Sequence, residues 1–298
     1  MRLKEIKSPK ALFGKAHARY TRMRLLVYLK SQYYRKRILA RFRTKTVLTF
    51  PQRPDRKTVV YAICHLLGYR ITQNINEEAN VAIHWEDLTF RGSYKALGRL
   101  NTRRPVLNIA CKDISKRRLD IVHKAVFGYN LAINPLSYQG LCVKKSNKNA
   151  THDGVIIQCP VEEVDEESVY QMVVNNKATA DYVEDIRVPV FGDNIPFCYC
   201  KYRPVQRRFS NENAYVRLCA RDAALSTTET ELLLQLCRRM GLDYGELDVL
   251  RDSDSRKIYV VDVNTVPFGP PNHLESEDVY VALESLAEAF VAAWMPPR

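Results

Sequence analysis

From Thr46 onward, short apolar runs alternate with longer segments of helical spacing. The runs that have the length and composition of strands in the first part of this region are 47–50, 80–85 and 106–111. Segment 56–69 lies between the first two runs and is predicted to be a helix that ends near Gly68. The order strand, helix, strand is typical of a parallel α/β layer. We therefore predict a Rossmann-like α/β domain over residues 46–110, but no GxGxxG motif follows its first strand to indicate a dinucleotide.

The pattern changes after a second predicted helix, which begins at Asp113 and stops at Gly128. The closely spaced strand-like runs that follow are 141–145, 155–161, 169–174, 185–191 and 195–202. Strands spaced this closely favour an antiparallel sheet. Ser226 and Glu229 then form a capping-box pattern, which predicts a helix that ends at Gly241. Two further strands at 246–250 and 257–264 flank a polar hairpin, and an apolar helix completes the chain.

The N-terminal region, residues 1–45, has a different character from the rest. It holds fifteen Lys or Arg and one acid, a net charge of 15 − 1 = +14, and the whole chain carries +13, so the remaining residues sum to 13 − 14 = −1. Residues 16–45 contain no Pro or Gly, which predicts one or two basic helices. Such helices either pack on the body with a solvated cationic face or form a docking arm. An arm of this kind suits an anionic membrane surface or an acidic carrier. The near-neutral body disfavours nucleic acid as the main partner.

The totals describe a globular protein of 298 residues with 46% hydrophobic and 27% charged residues. The eight cysteines include no CxxC pair and mostly lie in apolar runs, which favours buried reduced thiols in a cytoplasmic protein. No apolar run reaches the length of a membrane span, so we expect a soluble protein or one peripheral to a membrane.

The stretch from Tyr259 to Pro270, YVVDVNTVPFGP, carries the first chemical signal. In a regular strand Ile258, Val260, Asp262 and Asn264 share one face, so two oxygen donors project together from the strand end. Carboxylate and amide oxygens suit Mg²⁺, and Asp248 on the preceding strand could supply a third such oxygen. Taken alone, the same residues are also explained by a strand end in which Asp and Asn satisfy a turn.

Two earlier segments could surround a nucleotide. Lys144 and Lys145 end a strand before the small polar loop 146–154, which could fold over phosphates through its N–H groups. Further on, an extended connector after residue 169 could hydrogen-bond an adenine edge, and Glu184 and Asp185 could accept from ribose hydroxyls. For each segment alone, an ordinary hairpin end or a charged sheet surface explains the residues equally well.

The order of these pieces across residues 106–271 resembles the ATP-grasp superfamily, which includes D-alanine–D-alanine ligase and glutathione synthetase. The resemblance implies an α+β fold in which two α/β subdomains of an ATP-grasp domain, residues 111–298, sandwich a nucleotide. It implies ATP with Mg²⁺ or Mn²⁺ as cofactors. The nucleotide contacts implied are Lys116, Lys144, Lys145, Gln171, Met172, Val173, Asp185 and Lys201, and the metal ligands implied are Asp248, Asp262 and Asn264. Lys144, Lys201 and Arg203 are implied to stabilise the transferring phosphoryl group and the acyl phosphate.

The chemistry implied is a ligase that activates a small-molecule carboxylate as an acyl phosphate for attack by an amine, in cell-envelope or small-molecule biosynthesis. Two alternatives remain open at this point. One is phosphoryl transfer to an acceptor other than a carboxylate, and the other is a non-catalytic nucleotide-binding protein whose basic arm binds lipid or nucleic acid. The sequence departs from the superfamily at Asp262, where Glu is usual, and His152 in the loop is an addition that could touch phosphate or face solvent.

Overall fold

The computed structural model describes residues 11–40, 44–151, 153–210 and 212–295, and side chains in α1 from residue 23 onward. The first ten residues of the predicted arm, three residues near its end and His152 therefore lie outside the described residues. Within the described ranges, no helix is both long enough and apolar enough to cross a membrane.

Helices and strands follow the alternation that the sequence predicts, with a few short additions. The helices are α1 Ala11–Leu39, α2 Val59–Leu67, α3 Lys95–Asn101, α4 Lys116–Phe127, α5 Arg221–Ala224, α6 Thr227–Met240 and α7 Ser276–Trp294. The strands are β1 Thr46–Pro51, β2 Arg70–Thr72, β3 Val81–Trp85, β4 Val106–Leu107, β5 Gly140–Ser146, β6 Val155–Cys159, β7 Ser168–Met172, β8 Tyr182–Phe191, β9 Cys198–Pro204, β10 Tyr215–Cys219, β11 Tyr244–Arg251 and β12 Ile258–Asn264.

Three sheets organise the chain. The first is a parallel sheet in the order β2-β1-β3-β4, as predicted for the N-terminal α/β layer. The second is a five-stranded antiparallel sheet in the order β10-β9-β8-β11-β12, and the third is a three-stranded antiparallel sheet in the order β6-β5-β7. We call the five-stranded sheet the central sheet and the three-stranded sheet the lid sheet.

Two apolar cores hold these sheets. One core joins the parallel sheet to α2 and α7, where Ile63 and Phe290 are fully buried. The other core covers one face of the central sheet with α4 and α6, which contribute Leu119 and Leu233. The predicted capping box at Ser226 and Glu229 is present at the start of α6, so this helix begins where the sequence signal places it.

The basic N-terminal segment is a helix that packs on the body. Leu29 of α1 is buried in the first core, Tyr33 stacks on His65 of α2, and Tyr28 meets Tyr280 of α7 edge to face. Gly68, which ends α2, lies so close to α1 that a Cβ there would come within 2.7 Å of Lys36. The packing alternative that the sequence left open therefore holds for the described part of this helix.

Candidate active site

The face of the central sheet opposite the α4–α6 core carries a group of charged side chains. Because strand residues alternate in direction, Ile186, Val188 and Leu247 enter the α4–α6 core while their neighbours face the other way. The side chains that share this second face are Asp185, Arg187, Lys201, Arg203, Glu246, Asp248, Asp262 and Asn264. Four adjacent strands thus bring predicted nucleotide and metal residues onto one surface.

A β-bulge in β12 decides which residues face this surface. Asp248 pairs with Asp262, but the next residue, Val249, pairs with Val260, so Val261 is an extra residue in β12. Ile258 and Val260 are therefore buried in the α4–α6 core, on the face opposite Asp262 and Asn264. The prediction that these four residues share one face was wrong, because regular alternation is interrupted at Val261.

Asp248 is held by two cations from neighbouring strands. Arg187 donates from Nε to Oδ1 and from an Nη to Oδ2, both at 3.1 Å. The ammonium of Lys201 lies 2.7 Å from Oδ1 and is only 2% exposed. Arg187 and Lys201 together hold the pKa of Asp248 far below its usual range, although burial acts in the opposite direction. Burial lowers the pKa of Lys201, against the attraction of Asp248.

Glu246 extends this cluster into the interior. It is 3% exposed, and its Oε2 lies 3.5 Å from an Nη of Arg187 without a hydrogen-bond partner among the described residues. Burial raises the pKa of Glu246 to about 7, and Arg187 acts against that shift. Arg187 therefore lies between two carboxylates, of which Asp248 has the better hydrogen-bond geometry.

Asp262 and Asn264 provide oxygen donors beside Asp248. Asp262 accepts the N–H of Val263 through Oδ1, and Asn264 accepts that of Val266 through its side-chain oxygen. Burial raises the pKa of Asp262, while Lys116 and Lys145 act to lower it. Gly245 allows β11 and β12 to lie close together, because a Cβ at this position would come within 2.5 Å of the Asn264 carbonyl oxygen.

The donor set fits a magnesium ion that shares its coordination with phosphate. Among the described residues, no three His, Cys, Asp or Glu side chains are grouped closely enough to hold a metal by themselves. Mg²⁺ commonly takes one or two carboxylates and completes its shell with water and substrate phosphates. Asp262 with the amide oxygen of Asn264 meets that requirement, and Asp248 already accepts from Arg187 and Lys201.

The loop between β5 and β6 contacts α4 and the edge strand β12 of the central sheet. Lys116, at the start of α4, donates from Nζ to the carbonyl of Lys148 at 2.7 Å. Asn149 donates from its N–H to Thr89 Oγ1 at 2.9 Å and from its side-chain amide to the Val263 carbonyl at 2.8 Å, and its side-chain oxygen accepts from Lys116 Nζ at 3.3 Å. The predicted phosphate-covering loop is therefore tied both to β12 and to the N-terminal α/β layer.

The lid sheet separates the two candidate lysines. Lys144 points towards Asp165, with Nζ 2.9 Å from the carboxylate, and away from Asp262. Its neighbour Lys145 points the opposite way and lies near enough to Lys116, Asp262 and Asp120 to feel their charges. Burial, reinforced by Lys116, lowers the pKa of Lys145 to about 8. Among the described residues, no carboxylate lies within ion-pair distance of Lys145.

Two of the three residues that are predicted to contact adenine already have hydrogen-bond partners within the chain. Gln171 donates its side-chain amide to both oxygens of Asp120 on α4, at 3.0 and 2.9 Å. The N–H of Met172 donates to the carbonyl of Leu131. Gln171 and Met172 are therefore engaged within the chain, and Val173, the last of the three predicted residues, directly follows β7.

The predicted ribose acid and the predicted intermediate-binding cation contact each other. Arg203 on β9 forms an ion pair with Asp185 on β8, and Asp185 also accepts from Asn176 at 3.0 Å. Arg208 lies behind them and donates to the carbonyl of Val174 at 2.8 Å. The 173–176 connector is thereby joined to the cationic end of the central sheet.

Comparison with solved structures identifies the fold. The ATP-grasp ligase PsnB bound to a minimal precursor aligns with a TM-score of 0.54 and 13% identity over 84% of this chain and 99% of that chain. The same enzyme with a phosphomimetic precursor variant, Mg and ADP gives 0.52 and 14% over 84% and 98%. D-alanine–D-alanine ligase from Bacillus anthracis gives 0.51 and 14% over 85% and 97%. The chain has the ATP-grasp fold. No protein-family model and no curated protein sequence matches it.

Within this ATP-grasp fold, several site residues escape the sequence reasoning. Arg187 and Glu246 were missed, although each shares a strand face with a predicted residue, Asp185 and Asp248 respectively. That two-residue spacing is the signal that could have found them. Asn149 carries no such signal, because its contacts with Thr89 and Val263 join segments far apart in the sequence.

Proposed function

We propose that this protein is an ATP- and Mg²⁺-dependent ligase that activates a carboxylate as an acyl phosphate for attack by an amine. One observation carries the proposal: Lys116 and Lys145 approach Asp262 from the lid side while Lys201 and Arg187 surround Asp248 on the central sheet. Cations on two sides of an oxygen-donor pair suit a triphosphate with its metal.

The reaction proceeds in two steps. A carboxylate oxygen attacks the γ-phosphorus of ATP, forming the acyl phosphate and releasing ADP. The amine then attacks the acyl carbon, inorganic phosphate leaves, and the amine loses a proton. No side-chain nucleophile of the protein is needed in either step.

The side chains serve mainly to offset negative charge. Lys145 and Lys116 lie where they can contact phosphate oxygens from the lid side, and Lys201 can do so from the central sheet. Asp262 and Asn264 would hold Mg²⁺, which would neutralise negative charge on the phosphates. Arg187 lies beside Asp248 and Glu246 and can contact a phosphate from the central sheet. The loop 146–154 covers the site and limits water access to the acyl phosphate.

The N-terminal α/β layer is proposed to bind one of the substrates. Thr89 links the loop to the N-terminal α/β layer, which supports a role for residues 46–110 in binding the carboxylate or the amine. The neighbouring PsnB structures contain precursor peptides, whereas the B. anthracis neighbour is a D-alanine–D-alanine ligase. Peptides therefore belong in the substrate set beside the small carboxylates and amines that the sequence suggests.

Thermal unfolding with and without Mg²⁺–ATP tests the nucleotide site. Ligand at about a hundred times its dissociation constant stabilises a protein by roughly 2.7 kcal/mol. We expect the native protein to gain this stabilisation and the double variant Asp262→Ala/Asn264→Ala to lose it while remaining folded. Asp193→Ala is the matched control, since Asp193 pairs only with exposed Arg238 at the surface.

A screen for ADP release tests the reaction. Carboxylates and amines, offered singly and in pairs, include amino acids and short peptides with acidic side chains. ADP formation that requires both a carboxylate and an amine supports ligation. ADP formation with a hydroxyl acceptor alone would favour the phosphotransferase alternative, and nucleotide binding without turnover would favour the non-catalytic one.

A further inference from the structure

The N-terminal helix α1 has two apolar faces, and only one of them is covered. Leu25, Leu29 and Tyr33 face α2 and α7. With about 100° between successive residues of a helix, a second set lies on the opposite side. This set, the outer stripe, consists of Met23, Val27, Tyr34 and Ile38.

The outer stripe is strongly exposed. Its four side chains are between 60% and 65% exposed, which is unusual for large apolar residues grouped on one helix face. From Met23 to Ile38 the stripe runs for about 22 Å at 1.5 Å per residue. It forms a ridge, because α1 lies on the outside of α2 and α7.

Cations border the ridge. Lys30 lies on one side of the stripe and Arg35 on the other, and both are exposed. The described residues of α1, like the rest of its sequence, contain no Asp or Glu. The whole N-terminal region of 45 residues has a net charge of 15 − 1 = +14.

We infer that α1 docks the protein on an anionic lipid surface, with the outer stripe inserted at the headgroup boundary and its flanking cations on lipid phosphates. An apolar ridge bordered by cations on both sides is the arrangement of helices that lie in a membrane interface. A flat anionic surface can contact the ridge and both borders at once. Pairing of two α1 helices would instead bring two strongly cationic segments together. Nucleic acid would use the cations but leave the apolar stripe without a role.

Vesicle sedimentation tests this inference. The protein is mixed with vesicles of phosphatidylcholine alone or of equal parts phosphatidylcholine and phosphatidylglycerol. We expect it to sediment with the mixed vesicles only. Val27→Ser/Tyr34→Ser/Ile38→Ser should abolish most of that binding, and Lys30→Gln/Arg35→Gln should weaken it by about fivefold for each cation removed.

Matched controls separate docking from folding and from nucleotide chemistry. Ile121→Ser and Val281→Ser remove exposed apolar side chains from the body and should leave vesicle binding unchanged. All variants should keep the native unfolding temperature and its response to Mg²⁺–ATP. Failure of the proposed ligase activity would leave the vesicle result unaffected, because the outer stripe of α1 faces away from the core that α1 shares with α2 and α7.

Three outcomes would overturn the inference. The first is equal sedimentation with both kinds of vesicle or with neither. The second is anionic binding that the stripe variant retains. The third is tight binding to a DNA duplex or to polyglutamate that depends on Lys30 and Arg35 while vesicle binding is absent, which would assign α1 to nucleic acid or to an acidic protein.

Discussion

Arg187 on β8 and Asp248 on β11 are joined across the central sheet by two parallel hydrogen bonds of 3.1 Å. The same carboxylate accepts from the buried ammonium of Lys201. One acid thus balances two cations at the point where we propose that phosphates bind. Substrate binding at this point has to redistribute these contacts rather than fill an empty site.

Asp248→Asn should destabilise the protein by about 3 kcal/mol, because Lys201 and Arg187 would lose the charge that compensates their burial. Urea unfolding measures this loss. Asp193→Asn, which breaks an exposed pair with Arg238, should cost less than about 1 kcal/mol. A cost at Asp248 as small as that at Asp193 would mean that Glu246 takes over both cations.

Lys145→Met should weaken Mg²⁺–ATP binding by about tenfold to a hundredfold, as expected for the loss of one charged hydrogen bond. Lys144→Met is the matched control, because its ammonium faces Asp165 on the other side of the same strand. Isothermal titration calorimetry measures both affinities. Equal losses, or a larger loss at Lys144, would contradict the assignment of Lys145 to the phosphate.

Asn149→Ala should release the loop 146–154 from the body. The side-chain amide of Asn149 donates to the Val263 carbonyl and its side-chain oxygen accepts from Lys116, and the variant loses both contacts. The backbone N–H that donates to Thr89 Oγ1 stays in the variant. In the absence of nucleotide we expect faster tryptic cleavage after Lys148, and mass spectrometry measures the rate of this cleavage. Thr151→Ala in the same loop serves as the control, since its hydroxyl bonds only within the loop. Unchanged cleavage at Lys148 would show that other contacts keep the loop closed.

The sequence predicts most long elements because each has a strong local signal. Apolar runs mark β1, β3 and β8, and the capping box marks α6. The short elements β2, α3 and β10 have no comparable signal and form through pairing with neighbours distant in the sequence. Local pattern also does not reveal the bulge at Val261, which depends on how β12 meets β11.

The site residues also divide into those that a local pattern predicts and those that depend on contacts between distant segments. Residue types and order identified Asp248, Asp262, Asn264 and Lys201, which the fold brings onto one surface. Lys144 and Lys145 point to opposite faces of the lid sheet. Which of the two faces the site depends on which face of this sheet meets α4. The pairing of Arg203 with Asp185 likewise needs the register of β8 and β9.

A last prediction concerns the N-terminal α/β layer and pH. His84 is fully buried, its Nε2 lies 3.1 Å from Glu86, and burial together with Arg91 lowers the pKa of His84 to about 4. Because this pKa lies below the ordinary value of 6.5, the unfolded chain takes up a proton at His84 before the native protein does. Stability is therefore highest above pH 6.5 and falls as the pH drops from 6.5 towards 4.

Between pH 7 and pH 5 this single group should remove about 2 kcal/mol from the free energy of unfolding. Urea unfolding at the two pH values measures the loss, and His84→Gln should reduce it by that amount. His273→Gln, at an exposed position, should keep the native pH dependence. If His84→Gln left the pH dependence unchanged, His84 would have to be protonated in the native protein, with Glu86 as its counter-ion.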